Sequence, residues 1–370
     1  MRICHLSDSH LGAGEAYGRR TPGGFSERQD DIIGAFVEAV DKIISLRPDI
    51  CLHAGDLFHQ VRPSNRLLAL AGHQLHRLAD EHGIPTVIIT GNHDSPRQPH
   101  VGAALEVFAH IRNLYIASGS QRQVFQIKGA TIWAVPHCLS GEVLGDQLAQ
   151  CRPNDSSSPN ILVAHGVAAG MPQFRMVELG EQEIPLEVIN RFAYTALGHY
   201  HNFVQVAPRA WYAGSTERLS QSERTSPKGF IEVTIDPLQV KFHEVTCREM
   251  IDVPVIKADG LRGDQIVEII EERLAEQKFA GALARVTVEG VSEEALRTIP
   301  RERLAALKEK AFNLDVRWNR QSTAALPDVG HRAAGQVDRG FVEYLQTADL
   351  HGLDPDRLTR LADEYLSGQD

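Results

Sequence analysis

The sequence predicts an α/β protein with a second, partly antiparallel sheet and a small α/β unit near its end. Three observations carry that reading. Apolar, β-branched runs alternate with amphipathic helical stretches through roughly the first hundred residues. Short strand-like runs separated by turn residues then take over. Near Glu249 the strand–helix alternation restarts.

The elements follow in order. MRICHLS reads as a strand, and Ser26 to about Leu46 as a helix with Ile32, Ile33, Phe36, Val37, Val40, Ile43 and Ile44 on one stripe. DICLHAG is the next strand. Asn65 to about His82 is helical, with Leu67, Leu68, Ala71, Leu75 and Leu78 on one face and Gly83 closing it. PTVIITG completes a β-α-β-α-β order, which implies right-handed crossovers. QVFQIK and TIWAVP flank Gly129-Ala130 as a hairpin, and NILVAHG and YTALGHYH are further strands. QVAPRAWYAGS and the pair GFIEVTI and LQVKFHEV are expected as antiparallel strands on the second sheet. Residues 152–159 read as a loop.

From Glu249 the chain offers IDVPVIKA, a helix over DQIVEIIEERLAEQ, ARVTVEG, a helix over RERLAALKEKAF, and LDVRWN. Expected boundaries are therefore a main domain over 1–248, a small α/β domain over 249–321, and a linker with short helical segments over 322–370. The linker reading rests on STAALPDVGHRAAGQV, and the helical one on FVEYLQTADL and DRLTRLADEYL.

Composition narrows the class. The chain has 370 residues, 42% of them hydrophobic, enough for a sizeable core. No run approaches the roughly 18 apolar residues of a membrane span. MRICHLSDSH lacks the apolar stretch of a signal peptide, so the expectation is a cytoplasmic protein with no membrane partner. Five scattered cysteines without C-x-x-C spacing argue against a disulfide framework and a structural zinc site; Cys4 and Cys51 read as buried thiols. A net charge of −10 speaks against general nucleic-acid affinity but leaves room for a locally basic surface.

The polar residues fall at strand ends. The apolar runs finish in Asp8-Ser9-His10, in Gly55-Asp56-Leu57-Phe58-His59, in Gly91-Asn92-His93-Asp94, in His165-Gly166 and in Gly198-His199-Tyr200-His201. Open α/β sheets bind ligands at the carboxyl ends of their strands, so these five segments are expected to converge on one site. Gly91 is expected to let the backbone turn there. Asp, His and Asn supply oxygen and nitrogen donors suited to manganese, iron or zinc. Asp8, His10, Asp56, Asn92, His165, His199 and His201 are too many for one ion and suit two, with one carboxylate shared. Paired cations are a recurrent device for phosphoester hydrolysis. A lone strand-end His is usually just hydrogen-bonded, and His5, His53, His73, His76, His82 and His137 carry that plainer reading. Five such elements in order do not.

The order D-x-H, G-D, G-N-H-D, H-G, G-H-x-H over residues 1 to about 220 resembles the calcineurin-like metallophosphoesterase superfamily. Within it the chain resembles SbcD-type DNA double-strand-break repair nucleases. GDLFH carries His59 where many phosphatases have a second Asp, and GSTER (Gly214 to Arg218) follows the H-x-H element. A small α/β unit and a short tail follow the core. A departure is Ala213, where that family often has Pro.

The resemblance implies a two-sheet βαβ sandwich flanked by helices, with an α/β cap. It implies that Asp8, His10, Asp56 and His201 hold one metal and that Asp56, Asn92, His165 and His199 hold the other, with manganese the expected ion. His93 would sit beside the scissile phosphate, His59 would contact or position it, and Asp94 would orient the loop or His93. Glu217 and Arg218 are read equally as a structural pair or as site residues. The implied function is a DNA nuclease with 3′-to-5′ exonuclease and structure-dependent endonuclease activity in double-strand-break repair. The implied partners are DNA, a second copy of the chain and an SbcC-type SMC-like coiled-coil ATPase. The helix from Asn65 to His82 is the candidate dimer element. Phe341, Tyr344, Leu345, Leu358, Leu361 and Tyr365 are candidates to dock the ATPase or to pack on their own core. Arg19, Arg20, Arg62, Arg66 and Arg97 are the candidate basic groups for DNA. Two alternatives stay open: a phosphatase or cyclic-nucleotide phosphodiesterase of the same superfamily, and a non-catalytic DNA or ATPase scaffold with a relic site.

Overall fold

The computed structural model describes residues 1–321 other than 16, 18, 19, 23, 154–157 and 171–180, together with 354, 357 and 358. The tail segments expected around Phe341 and Tyr365 therefore lie almost wholly outside the described residues.

The chain begins β1 (Arg2–Leu6), α1 (Glu27–Leu46), β2 (Ile50–His53), α2 (Asn65–His76), β3 (Thr86–Ile89) and β4 (Leu114–Ala117). It continues with β5 (Gln123–Ile127), β6 (Ala130–Val135), α3 (Gly141–Ala149), β7 (Asn160–His165), β8 (Val167–Ala168), β9 (Glu183–Ile184), α4 (Leu186–Ile189) and β10 (Tyr194–Gly198). Then come β11 (Val204–Ala207), β12 (Ala210–Tyr212), β13 (Gly229–Thr234) and β14 (Gln239–Glu244). The last unit is β15 (Met250–Lys257), α5 (Gly263–Glu276), β16 (Leu283–Val291), α6 (Glu293–Arg297), α7 (Arg301–Lys310) and β17 (Asn313–Arg320).

Local chemistry sets the helices. Ser26 caps α1: its Oγ accepts from the Gln29 amide at 3.1 Å, and Gln29 Oε1 accepts from the Ser26 amide at 3.0 Å. Glu27 and Asp30 then face the positive end of the helix dipole. Its apolar stripe, Ile32, Phe36, Val40 and Ile43, is fully buried. The expected helix from Asn65 to His82 changes pitch. Past His76 it widens into a π turn over Arg77–Glu81, with the His82 amide bonded to the Arg77 carbonyl at 3.0 Å. That turn seats Leu78 and Ala79 in the core.

Two six-stranded sheets stack face to face. The first runs β14-β13-β1-β2-β3-β4, and the second β11-β12-β10-β7-β6-β5. Along each strand, alternate residues face the core between the sheets or the helices outside it. Ile3, Ile50, Leu52, Val87 and Ile89 face Ile132, Ile161, Val163 and Ala196 of the other sheet. Cys4, Cys51 and Ile88 face α1 and α2. Leu162, Ala164 and Leu197 face α3 and α4. Strands apolar on both faces read as continuous runs, which is why they were legible. The plainer reading of His5 holds: its ring crosses between the sheets to Tyr194 Oη at 2.9 Å.

Two expectations need correction. The β13–β14 hairpin belongs to the first sheet, where β13 pairs antiparallel with β1, Ile3 opposite Val233. A hairpin's turn fixes the pairing of its own strands but not the sheet edge that receives it. Here β2 occupies one side of β1, and the hairpin takes the other. In the second sheet, β12 pairs antiparallel with β11 but parallel with β10.

The last unit forms its own parallel sheet, β15-β16-β17, over a core of Val253, Ile266, Ile270, Leu274, Val286 and Val288. Arg248 latches it to the main body. Its guanidinium makes two bonds to the Asp31 carboxylate, at 2.5 and 2.7 Å, and donates to the Gly281 carbonyl at 2.9 Å. The same group lies 3.9 Å from the Phe312 ring centre. Among the described residues no helix is long and apolar enough to cross a membrane.

Candidate metal centre

The site is built where the two sheets end together. The loop after β1 zips onto the loop after β2: Asp8 N to Gly55 O at 3.0 Å, His10 N to Asp56 O at 3.0 Å, and Leu11 N to Leu57 O at 2.8 Å. These bonds hold backbone that would otherwise relax. Asp8 (φ 51°), His10 (φ 44°), Asp56 (φ 55°) and His199 (φ 104°) all lie at positive φ. Such conformations cost a non-glycine residue on the order of 1–3 kcal/mol each and persist only where neighbours impose them.

Glycines provide clearance. A Cβ on Gly91 would come within 2.1 Å of Asp56 Oδ1, and one on Gly198 within 2.0 Å of the Ala54 carbonyl oxygen. Gly91 is not at positive φ, so its task is to admit the Asp56 carboxylate rather than to turn the chain.

All seven expected donors converge. His10 Nε2 lies 3.1 Å from His201 Nε2 and 3.6 Å from Asp56 Oδ2. Asp8, His10 and His201 form one cluster whose donor atoms lie within 4.8 Å of one another. Asn92 Oδ1 lies 2.9 Å from His165 Nε2 and 3.1 Å from His199 Nδ1, and His165 Nε2 is 3.4 Å from Asp56 Oδ2. Asp56 stands between the two groups and touches both.

The far side of each imidazole tests the fit to metal. His165 Nδ1 donates to the Ala54 carbonyl at 2.8 Å, which fixes Nδ1–H and turns Nε2 inward. His201 Nδ1 meets Glu223 Oε1 at 3.2 Å, and His199 Nε2 meets Glu181 Oε1 at 3.4 Å. Imidazoles held from outside, with nitrogens aimed at carboxylate and amide oxygens, fit divalent cations.

Electrostatics agree. Burial and neighbouring histidines push the His10 pKa well below its ordinary value, despite the attraction of Asp56. Burial alone would raise Asp56, but the adjacent His165 and His10 outweigh it and hold the carboxyl well below the usual range. Burial opposes charge on His165, yet Asp56 and Asp8 lift it to about 9. Burial, reinforced by the Asp56 charge, raises Asp94 to about 8.

A cavity of 780 Å³ opens beside the donors and is lined in part by His59, His93, Arg97, His137 and Glu181. His93 stacks on His59 with ring centres 5.1 Å apart. Its Nδ1 donates to the His59 carbonyl oxygen at 3.1 Å, and its amide donates to Asp56 Oδ1 at 2.9 Å. The His59 ring sits 3.3 Å from His10 Nδ1. Asp94 orients loops: Oδ1 accepts from the Gly91 amide at 2.6 Å and Oδ2 from the Leu57 amide at 2.9 Å.

Glu217 pairs with Arg28 at 3.3 Å and accepts from the Arg218 and Arg248 amides, a structural role. Of the expected basic groups, Arg97 lines the cavity, Arg62 is exposed, Arg66 lies over Phe25, Arg20 donates to Gly24, and Arg19 lies outside the described residues. His137, given the plainer reading from sequence, lies two residues beyond β6 and lines the cavity. Sequence reasoning missed Glu181, Glu223 and Lys228, which no motif announces.

The calcineurin-like phosphoesterase family matches residues 1–203. A Haloferax volcanii protein named DNA double-strand break repair protein Mre11 is 30% identical over 298 residues, 79% of this chain and 62% of that protein. Proteins of the same name from Methanocaldococcus jannaschii and Saccharolobus solfataricus are 26% and 30% identical. Those alignments cover 69% and 54% of this chain, and 69% and 49% of the relatives. The chain thus spans about half to two thirds of the length of the relatives it matches. The chain belongs to the calcineurin-like phosphoesterase family of metal-dependent phosphoester hydrolases, and over most of its length it is similar to double-strand break repair proteins.

Proposed function

We propose that the chain is a two-metal DNA nuclease, with 3′-to-5′ exonuclease and structure-dependent endonuclease activity in double-strand-break repair. Asp8, His10, Asp56 and His201 hold one ion, and Asp56, Asn92, His165 and His199 the other, with manganese the preferred metal. The observation that carries the reading is the convergence of seven donors, four of them on positive-φ backbone, around the Asp56 carboxylate. Similarity to the repair proteins supplies the substrate class.

When bound, the ions supply positive charge for the phosphoryl oxygens and acidify the attacking water. The chain does the rest. The His59 carbonyl holds Nδ1–H of His93, so Nε2 faces the cavity. From there it stabilises the phosphoryl group or passes a proton to the leaving oxygen. The His59 ring, stacked on His93, lines the phosphate path. Arg97 at the cavity wall offers a backbone contact that positions DNA without reading its sequence. On the same basis, residues 249–321 act as a cap, the helical stretch from Asn65 to His82 serves a homodimer, and a coiled-coil ATPase of the SbcC type is the partner.

End-labelled linear duplex with manganese or EDTA tests this. Wild type should degrade the duplex only with metal. His93→Ala should lose about 10²–10⁴-fold in rate with metal content unchanged. Turnover of a small phosphodiester without DNA degradation would move the assignment to a phosphatase or cyclic-nucleotide phosphodiesterase. Failure to bind two ions per chain would favour the relic-site scaffold.

A further inference from the structure

Behind His201 lies a buried charged pair that no metal-ligand motif contains. Glu223 Oε1 sits 3.2 Å from His201 Nδ1, on the side of the ring away from the metal cluster. Its other oxygen, Oε2, meets Lys228 Nζ at 2.5 Å. The Lys228 side chain is wholly shielded from solvent. Its ammonium also donates to Ser215 Oγ at 2.9 Å and to the His201 carbonyl at 2.7 Å. Glu223 accepts further from Ser220 Oγ at 2.9 Å and the Leu219 amide at 3.2 Å. The ammonium thus grips both His201's own backbone and the carboxylate that grips its ring.

Burying an ammonium and a carboxylate costs several kcal/mol of desolvation per ion, and a pair of apolar residues often packs as well. A pair retained at that cost, fully bonded and ending on one ring nitrogen, has a consequence at that nitrogen. A carboxylate facing Nδ1 fixes the proton there and leaves Nε2 as a lone-pair donor aimed at His10 and Asp8. GSTER joins the same brace. Ser215 N donates to the His201 carbonyl at 3.0 Å, and a Cβ on Gly214 would come within 2.8 Å of that carbonyl oxygen.

We infer that Glu223 and Lys228 are positioning residues that fix the tautomer and angle of His201 and thereby set affinity for the ion it shares with Asp8, His10 and Asp56. His199 has a looser counterpart, Glu181 at 3.4 Å, whereas His165 leans on a main-chain carbonyl. The ion held through His201 therefore depends on a side-chain relay, and the other does not depend on that relay.

This inference rests on the two-metal reading, and the test separates the two. Manganese is titrated into metal-free full-length protein. Total bound ion is measured by equilibrium dialysis, and ion pairing by the exchange-coupled manganese resonance. Wild type should bind two ions and show the coupled signal. Glu223→Ala/Lys228→Met removes the relay without stranding a buried charge. It should keep one tight ion, bind the second about 10–100-fold more weakly and lose the coupled signal at low manganese. Glu223→Gln/Lys228→Met, whose amide oxygen still accepts from Nδ1–H with no buried ammonium left facing the amide, should fall between the two. Wild type binding fewer than two ions overturns the two-metal reading and this inference with it. Two ions in wild type, with the folded Glu223→Ala/Lys228→Met variant loading both at wild-type affinity, overturns the relay alone. So does a folded Glu223→Gln/Lys228→Met variant no better than Glu223→Ala/Lys228→Met.

Discussion

The first sheet and the small terminal sheet obey the same packing rules and do different things. Both line up parallel strands, β1-β2-β3 in one and β15-β16-β17 in the other, with amphipathic helices over an apolar face. They part company at the strand ends. Beyond β1 and β2 lie Asp8, His10 and Asp56, held close on positive-φ backbone, and beyond β3 lies Asn92, whose Oδ1 meets His165 and His199. Beyond β15 and β17 lie Asp259 and Gln321, whose side chains satisfy each other at 3.1 Å. Among the described residues the small unit has one non-glycine at positive φ, Lys278, and contributes to none of the donor clusters. Repeated β-α packing makes a stable layer, and chemistry arises only where strand ends leave donors unsatisfied by one another.

Breaking the busy end should have the largest effect. Asp56 touches both donor groups, so Asp56→Ala should release both ions and lower turnover by more than about 10³-fold, beyond the loss of one charge-stabilising donor. Asp259→Ala in the small unit should change neither. Metal content and nuclease rate check both, and a Asp56→Ala chain with two tight ions would sink the bridging role.

The glycines sharpen the contrast. Gly91→Ala drives a methyl into the Asp56 carboxylate, and such overpacking costs about 1–3 kcal/mol and should weaken metal binding as well. Gly281→Ala meets open space at φ 73° and should cost about 1 kcal/mol of backbone strain with activity untouched. Denaturant midpoints with parallel activity assays separate the two; equal loss of activity would erase the distinction.

The smallest effect is a slope with pH. In metal-free protein the folded pKa of His165, about 9, lies above its ordinary 6.5. The stabilisation it gives is complete below 6.5 and is lost as pH rises toward 9. A cation needs that nitrogen unprotonated, so metal loading strengthens over the same range. Melting curves in EDTA and in manganese should therefore diverge as pH rises, and curves that stay parallel would remove His165 from the centre.

Much of this was legible because buried parallel strands read as unbroken apolar runs, and an abrupt glycine–polar ending stands out against them. Asp56 and Asn92 were visible for that reason. β4, no shorter than β2 or β3, is only half-buried at its two middle residues and lacks their fully buried run. The edge that received β13 depended on which side of β1 was vacant, a tertiary fact. Glu223 and Lys228 had no signature because their meaning lies in a single bond to a ring brought there by another strand. Gly91 was identified as important for the wrong cause, since clearance for a distant carboxylate leaves no mark in local sequence. The role of His59 was half legible: its side chain attracted the reading, while its carbonyl holds His93.

Asp94 gives one oxygen to the loop after β3 and the other to the loop after β2. A single planar group therefore spans the two loops that present Asn92 and Asp56, and neither can shift without tugging the other. In the arrangement proposed here, this makes the two ions talk. Filling one site steadies the loop that serves its neighbour, so the two ions of the wild type should load with weak positive cooperativity rather than independently.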